Sequence, residues 1–346
     1  MIQKEFCTDG LNAYSGYYLD RKKLLQSASG GGASAIAEAI INEGGVVFGV
    51  CYTPDFKNAE FACIENINDL YKIKGSKYIE TQKRILQKNG EYKSVYSTVA
   101  EKLQSGVEVL FIGLGCDVAA LYSFLKGKDI STSSLYTADL ICMGSTSSEV
   151  AKQYINFLEK KYKSKVVDFS VRYKKQGWLP IYIFTKFENG KTFTTKFHDS
   201  DYGYAFSHYY VKKACCQCEF KGHNHVCDLT LGDYWGITKD MNGYNPDGVS
   251  IFITRTKHGE QLINKIDRTE FLLQKTDVAF AIANNPMYYL SRKQEPKWKQ
   301  FHENLYSKGL HYAVIADKGV GVYMRSFVSK LCPTPVKSLI KKIITR

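Results

Sequence analysis

Apolar residues in the first half of the chain follow two alternating periods. After a glycine turn, residues 29–43 place Ile36, Ile40 and Ile41 on one helical stripe, and residues 44–52 then have the pattern of a short buried strand. The same order repeats downstream, where strands that alternate with helices predict a mainly parallel sheet covered on both faces. The further predicted elements are helices at 80–104, 116–127 and 147–162 and strands at 107–113 and 135–142.

The pattern changes after about residue 165. Strand-like segments at 166–173, 179–187 and 191–197 are separated by hairpin-like turns. We therefore expect an α/β fold with a mainly parallel three-layer sheet in the N-terminal half and a mixed α+β C-terminal half. The expected regions are an α/β half (1–165), a mixed half (166–310) and a basic tail (311–346).

Composition narrows the class of protein. The 346 residues carry a formal net charge of +13, include 25 Tyr and 19 Phe, and are 44% hydrophobic, which is typical of a folded chain. No run of 18 or more apolar residues marks a membrane span, and the N-terminus lacks a signal-peptide pattern, so we expect a cytoplasmic protein. The charge favours an anionic partner, but scattered surface lysines account for it equally well. No nucleic-acid-binding motif is present, and we expect no nucleic-acid partner.

Four of the ten cysteines stand out by position. Cys116 and Cys142 each follow a buried-strand pattern, while Cys215 and Cys218 form a C-x-x-C pair ahead of DLTLGDYWG. Because ligands bind beyond the carboxyl ends of parallel strands, the first two thiols fall where a site is expected. A zinc ribbon needs two such pairs, and only one is present, so the pattern favours an iron–sulfur cluster over zinc or chance, which stay open.

The remaining cysteines lack such a setting. In a reducing compartment they are expected to be thiols rather than disulfides, and we expect them to be buried or incidental. Cys216 lies inside the pair and is expected to point away from whatever its neighbours bind. The others are Cys7, Cys51, Cys63, Cys227 and Cys332.

Two loops have the composition of anion-binding turns. SASGGGAS (27–34) opens a helix, where exposed backbone N–H groups and the helix N-terminus suit a phosphate. It matches neither G-x-G-x-x-G nor the P-loop, and a plain serine-capped helix start explains it equally well. In KGSKYIE (74–80), Ser76 and Lys77 are placed to hold an anion, and the alternative is an ordinary basic surface turn.

Taken in order, these motifs resemble the beta subunit family of coenzyme F420-reducing hydrogenases and dehydrogenases. The resemblance runs from about residue 14 to 265. SASGGGASAIAEAIINEGGVVFGV is similar to the family's serine–glycine turn, helix and strand, KGSKYIE to its G-S-K-Y element, and VLFIGLGCDVAAL to its G-x-P-C-Q turn. DLICMGSTS resembles D-L-x-C-H-G, RYKKQGW the arginine–tryptophan segment, and CCQCEF with DLTLGDYWG the C-x-x-C and G-D-x-W-G block. Each motif is weak alone, and their shared order carries the resemblance.

The resemblance implies a flavoprotein with FAD and one [4Fe-4S] cluster. In that case the first half would bind the flavin, and the second half would complete the cluster site with its cysteine pair. Arg172, Asp233 and Trp235 also match the family's pattern, without an assigned role. The implied cluster ligands are Cys116, Cys142, Cys215 and Cys218, and the implied flavin contacts are Ser29, Gly30, Gly31, Ser76, Lys77, Tyr78 and Gly113.

The chain departs from the family's pattern close to the predicted ligands. Gly115 stands where the family has proline, Asp117 where it has glutamine, and Met143 where it has histidine. The missing histidine removes a proton or hydrogen-bond donor near the flavin, and Asp117 is expected to disfavour a reduced, anionic centre by repulsion. No ferredoxin-like C-x-x-C-x-x-C run is present, so we expect at most one cluster.

The C-terminal residues 333–346 have the pattern of a short basic amphipathic helix that starts at Thr334 and Pro335. Such a helix suits an anionic membrane surface, and it suits docking on the protein's own core equally well. Stand-alone relatives occur with surface-polysaccharide synthesis proteins, which implies a location at the inner face of the membrane.

The leading hypothesis is therefore a flavin-dependent oxidoreductase with one [4Fe-4S] cluster, acting on a sugar nucleotide or lipid-linked glycan in surface polysaccharide synthesis. We also expect a redox partner protein. The alternatives are a deazaflavin (coenzyme F420) reducing module of a larger complex and a non-catalytic scaffold that holds a Cys-ligated metal.

Overall fold

A computed structural model describes residues 10–208 and 210–319. The predicted helix at 333–346, Cys7 and Cys332 lie outside the described residues. The strands are β1 (Asn12–Tyr18), β2 (Val46–Tyr52), β3 (Ala59–Ile64), β4 (Thr81–Leu86), β5 (Tyr92–Ser94), β6 (Val109–Gly113), β7 (Leu135–Leu140), β8 (Val166–Tyr173), β9 (Tyr182–Phe187), β10 (Thr192–Lys196), β11 (Leu229–Asp233), β12 (Ser250–Thr254) and β13 (Phe271–Thr276).

The α-helices lie between and after these strands. Several begin at a side-chain cap, as where the Ser147 hydroxyl accepts from the Glu149 N–H at 3.2 Å. The helices are α1 (Arg21–Leu25), α2 (Gly32–Asn42), α3 (Val95–Gln104), α4 (Gly115–Gly127), α5 (Ser148–Tyr162), α6 (Asp201–Ser207), α7 (Lys257–Asn264), α8 (Val278–Ala283), α9 (Trp298–Ser307) and α10 (Leu310–Lys318).

Within the described residues, ten strands form one sheet in the order β13-β1-β12-β11-β7-β6-β2-β3-β4-β5, and β10-β9-β8 form a second. The centre of the large sheet is parallel, since β11 pairs with β7, β7 with β6, and β6 with β2 in that sense. Antiparallel pairings flank it, with β12 on one side and β3 on the other. The carboxyl ends of β6, β7 and β11 therefore meet at one edge of the sheet, which we call the ligand edge.

Strand alternation distributes the core residues between two helical layers. Side chains of a strand point alternately to opposite faces. In β6, Leu110 packs with α2 and α7, while Phe111 packs with α3 and α4 on the other face. In β2, Val47 and Phe48 divide in the same way. The predicted α/β class with three layers is confirmed.

A second core lies between the small sheet and the C-terminal helices. Leu158 of α5, Phe187 of β9, Phe301 of α9 and Val314 of α10 are buried together. This core places β8 beside the ligand edge, where its last residues contact segments from the first half of the chain. The boundary predicted at residue 165 stays a prediction, and the ten-stranded sheet takes strands from both sides of it.

The helix predicted over 80–104 is wrong for its first half. Residues 81–86 and 92–94 are β4 and β5, paired antiparallel, and only α3 is helical. Asn89-Gly90 forms the turn, with Gly90 at φ +84°. An Asn-Gly dipeptide is a strong hairpin signal, and it outweighs the helical spacing of Ile85 and Leu86.

Among the described residues, no helix combines the length and the apolar composition needed to cross a membrane.

Candidate functional site

Two of the predicted ligand thiols follow neighbouring parallel strands. Cys116 lies in the first turn of α4, directly after β6, and Cys142 lies two residues beyond β7. The two strands are in register from Val109↔Leu135 to Gly113↔Asp139, so both chain segments leave the sheet at the same edge. Their convergence is thus a consequence of parallel pairing between β6 and β7.

The cysteine pair approaches from the second half of the chain. Cys215 lies in a short 3-10 helix, Lys213–Gln217, and its N–H donates to the Lys212 carbonyl at 2.9 Å. The Cys218 N–H donates to Ser291 Oγ at 3.0 Å. The Lys212 N–H in turn donates to the Ser145 carbonyl at 2.9 Å, which joins this segment to the loop that contains Cys142.

The four predicted thiols form one electrostatic group. Cys116 interacts with Cys142 and Cys218, and Cys142 interacts with Cys215 and Cys218. Desolvation and the adjacent Asp117 raise the pKa of the Cys116 thiol to about 12, although part of its surface is exposed. Desolvation also raises the pKa of Cys142 to about 11. Without a cation these thiols stay protonated at neutral pH, and a bound metal would supply the charge that stabilises their thiolates.

A separate buried group lies behind the Cys142 loop. Among the described residues, the ligand atoms of three His, Cys, Asp or Glu side chains come within 4.8 Å of one another only at Asp139, His225 and Cys227. His225 Nδ1 lies 2.5 Å from Asp139 Oδ2, and Thr230 Oγ1 donates to Asp139 Oδ1 at 2.6 Å. Arg255 Nη1 contacts Cys227 Sγ at 3.2 Å and Thr230 Oγ1 at 2.7 Å, so a cation already lies beside the thiol of this group. This group is a satisfied hydrogen-bond network.

Sequence patterns alone gave His225 no role and predicted Cys227 to be a buried or incidental thiol. The spacing His225-x-Cys227 in one strand-like segment is the only local signal for the group. Asp139 is on β7 and Arg255 follows β12, and their approach depends on the order of strands in the sheet.

Two carbonyls of the turn at residues 28–31 accept hydrogen bonds from buried cationic side chains. Arg172 Nη2 donates to the Ala28 carbonyl at 2.9 Å, and Lys174 Nζ donates to the Ser29 carbonyl at 2.6 Å. None of the backbone N–H groups of residues 28–31 donates to an acceptor in the described part of the chain. A row of free N–H groups directly before α2 is therefore available for an anion.

Close packing makes glycine necessary in this turn. A Cβ on Gly30 would lie 2.1 Å from the Gly16 carbonyl oxygen and 2.4 Å from the Ser250 nitrogen. Gly31 has φ +95°, which other residues rarely adopt. Ser29 Oγ donates to the Val249 carbonyl at 2.7 Å. Ser250 pairs with Asp233 across β11 and β12, so the turn lies at the ligand edge.

Arg172 joins three of the predicted motifs. Besides the Ala28 carbonyl, its guanidinium contacts Asp233 Oδ2 at 2.9 Å and the Tyr78 hydroxyl at 3.3 Å. Trp178 lies a few residues further on, with its ring centroid 4.5 Å from that of Trp235. The buried indole Nε1 of Trp178 has no hydrogen-bond acceptor among the described residues. Arg172, Asp233 and Trp235 therefore share one site.

The loop at residues 74–80 differs from an ordinary basic surface turn because the side chain of Lys77 is buried. Lys77 Nζ donates to the carbonyls of Lys74 and Gly75 at 2.9 Å each, and burial lowers its pKa to about 8. The ammonium is thus bonded within its own loop, and an anion would meet the loop's other groups. Tyr78 has φ +59° and stacks on Phe206 with centroids 4.2 Å apart. Ser76 is half-buried beside them.

Gly113 is the last residue of β6 and lies three residues before Cys116. A Cβ there would lie 3.0 Å from the Asp117 Cβ and 2.9 Å from the Phe111 ring. The roles of Gly113 and of the residues in the two loops as flavin contacts stay predictions.

Comparison with known families agrees with the motif order. The family model for the C terminus of the coenzyme F420 hydrogenase/dehydrogenase beta subunit matches residues 106–278. The chain belongs to this family. That span includes β6 to β13 and all four predicted cluster ligands, and the predicted resemblance is confirmed.

Among solved structures, this protein is similar to a chain from a xenon-derivatised F420-reducing [NiFe] hydrogenase complex of Methanosarcina barkeri. The TM-score is 0.51 at 17% sequence identity, and the match covers 85% of this chain and 92% of that chain. At this identity the match shows a common fold. No curated protein matches the chain.

The departures from the F420 family pattern have structural reasons at two positions. A Cβ on Gly115 would lie 2.9 Å from the Phe220 Cβ and 3.2 Å from Asp139 Oδ2, so proline has no room there. Asp117 accepts from the Leu114 N–H at 3.0 Å and forms an ion pair with Lys83. The expected repulsion from Asp117 is therefore offset by Lys83 and by the N-terminus of α4.

Proposed function

We propose that this member of the F420 family is a flavin-dependent oxidoreductase with one [4Fe-4S] cluster. Cys116, Cys142, Cys215 and Cys218 would hold the cluster, and FAD would lie against the 28–31 turn. The observation that carries the proposal is the common placement, at one sheet edge, of four interacting thiols and a glycine turn whose backbone N–H groups have no acceptor among the described residues.

Spacing favours a cluster over a single zinc ion. Sulfur ligands of one tetrahedral zinc lie roughly 3.8 Å apart, given a Zn–S distance of about 2.3 Å. The four thiols include no trio within 4.8 Å, although they interact electrostatically. A polynuclear centre that separates its ligand sulfurs fits this arrangement better, and the zinc scaffold is the weaker alternative.

The donors around the 28–31 turn fit the anionic and aromatic parts of a flavin nucleotide. The free N–H row suits a pyrophosphate, and the unpartnered Trp178 indole N–H suits a polar atom of a planar ring system. When bound, FAD supplies two-electron chemistry with a substrate, and the cluster supplies single-electron transfer.

The chain's own residues prepare this site before any cofactor binds. Arg172 and Lys174 donate to the carbonyls of Ala28 and Ser29 and so fix the backbone of the turn, whose N–H groups have no acceptor among the described residues. Asp233 neutralises the buried Arg172 guanidinium, so this charge is paired before any cofactor binds. One thiol, Cys116, is exposed, which gives the set an open side toward solvent or a partner.

The proposed substrate is a sugar nucleotide or a lipid-linked glycan. Two features support it: the net charge of +13, which favours an anionic ligand, and the resemblance to stand-alone relatives that occur with surface-polysaccharide synthesis proteins. The second candidate is a deazaflavin-reducing module of a larger complex. It is supported by the match to a chain of the F420-reducing hydrogenase complex, 92% of which is covered.

Anaerobic purification tests the proposal directly. We expect flavin absorption near roughly 450 nm with a broad iron–sulfur shoulder, and extractable FAD with iron and acid-labile sulfide in equal amounts. A colourless protein with stoichiometric zinc would overturn it. Anaerobic reoxidation of the reduced protein by a deazaflavin, compared with UDP-hexoses and undecaprenyl-linked sugars, separates the two candidate functions.

A further inference from the structure

Lys221 lies at the centre of the segments that carry the cysteines. It comes three residues after Cys218, and its half-buried ammonium donates to the carbonyls of Cys142 and Met287. It thereby ties the C-x-x-C segment to the Cys142 loop and to the turn at Pro286–Tyr288. The Cys218 N–H bond to Ser291 adds a second tie to the same region.

The ammonium also lies close enough to the cysteines to interact with their thiolate forms. Cys142, Cys218 and Cys215 all interact with Lys221, as does Asp139. Other charged groups also lie beside the set: Lys83 pairs with Asp117, Asp139 binds His225 and Thr230, and the buried Arg292 donates from Nε to the Met143 carbonyl at 3.2 Å. Lys213 is next to the cysteine pair, but it is exposed.

We propose that Lys221 is a positioning residue that holds the cysteine loops together and, by its charge, raises the reduction potential of the cluster they bind. This inference rests on the proposed function. Four thiolates make the site anionic, and one-electron reduction adds a further negative charge. A half-buried cation stabilises the reduced form more than the oxidised form, because the attraction grows with the charge and is weakly screened there.

The test separates charge from hydrogen bonding. Lys221→Gln keeps an N–H donor for the carbonyls without the charge, Lys221→Arg keeps the charge, and Lys213→Met removes an exposed lysine as a matched control. Each protein is reduced with dithionite through mediators, which supply one electron per cluster, and titrated by EPR. Iron and sulfide content is measured in parallel.

We expect K221Q to retain its cluster and to be about tenfold harder to reduce at a given potential, a shift of about 59 mV to more negative values for one electron. K221R and K213M should titrate like the unaltered protein. Loss of the cluster in K221Q with full retention in K221R would also support a role for the charge.

Two outcomes would overturn the inference. One is a K221Q protein with a full cluster and an unchanged potential. The other is equal cluster loss in K221Q and K221R, which would overturn the effect assigned to the charge and leave Lys221 with a purely structural role. If the unaltered protein has no cluster, the proposed function fails instead, so the two failures are distinguishable.

Discussion

Arg172 and Asp233 form an ion pair with 2.9 Å between Nη2 and Oδ2, and their side chains are 5% and 20% exposed. Arg172 is on β8 of the small sheet, and Asp233 ends β11 of the large sheet. The pair therefore joins the two sheets at the ligand edge. The same guanidinium also contacts Ala28 and Tyr78, so one residue orders both predicted anion loops.

Removal of the guanidinium should destabilise the protein. Arg172→Met leaves Asp233 and the Ala28 carbonyl without their partner, and breaking a buried pair in this way costs about 3 kcal/mol or more. Urea denaturation measures the loss. The double variant R172M/D233N should recover part of it, because the unpaired carboxylate is gone. Equal stability of R172M and the unaltered protein would contradict the structural role given to this pair.

Gly31 and Gly44 offer a matched test of crowding in the 28–31 turn. Both have positive φ, +95° and +86°. A Cβ on Gly31 would lie 2.4 Å from the Tyr18 ring, while one on Gly44 meets nothing within 4 Å. Gly44→Ala should cost only the backbone term of about 1 kcal/mol, and Gly31→Ala about 1–3 kcal/mol more by overpacking. Equal losses of stability in urea would argue against tight packing at the turn.

The cysteines divide into two groups with opposite expected outcomes. Cys142→Ser and Cys218→Ser should lower the iron content sharply, because each removes a proposed ligand. Cys216→Ser and Cys227→Ser should keep it, since Cys216 is predicted to point away from the bound metal and Arg255 contacts Cys227. Iron and sulfide assays after anaerobic reconstitution measure the difference. Iron loss in C227S with retention in C142S would move the metal site to the Asp139 group.

Lys174 gives the stability a defined pH dependence. Burial lowers its pKa from 10.5 to about 7, with Arg172 as a second cause. Between these two pH values the unfolded chain binds a proton that the folded protein does not, so the contribution of Lys174 to stability rises with pH and is lost as pH falls toward 7.

The difference in unfolding free energy between the unaltered protein and Lys174→Met should therefore grow by up to about 1.4 kcal/mol per pH unit across that window. Denaturation at pH 7 to 10 measures it. Lys175→Met, at an exposed neighbouring lysine, should show no such slope. A difference that is flat in pH would show that Lys174 keeps its ordinary pKa in the fold.

Local pattern was sufficient for the strands that carry Cys116 and Cys142. β6 is a continuous apolar segment and β7 a largely apolar, buried one, and both end near the predicted positions, because both faces of a central parallel strand are buried. The glycine turn before α2 was equally readable, since a positive φ at Gly31 demands glycine. The spacing of Ile85 and Leu86 misled the prediction of a helix, because a short hairpin gives no sustained period.

The spacing of residues along the chain did not predict which partners the polar side chains bind. Lys77 was predicted to hold an anion, yet its ammonium bonds to carbonyls of its own loop. Asp117 was expected to repel a reduced centre, yet it pairs with Lys83 from a strand far along the sheet. Such contacts depend on which groups the fold brings within hydrogen-bonding distance.

By itself the sequence determined the α/β class, the family, the four candidate thiols and the loops before α2 and β4. These follow from local periods, from backbone requirements of glycine and from motif order. Only the tertiary structure decided that the thiols interact, that Arg172 joins three motifs and that Lys221 lies between the cysteine loops. Those contacts depend on the strand order β12-β11-β7-β6. The fold brings together residues as far apart in the chain as Ala28 and Arg172, which are 144 positions apart, and it is set by global packing, which no local pattern encodes.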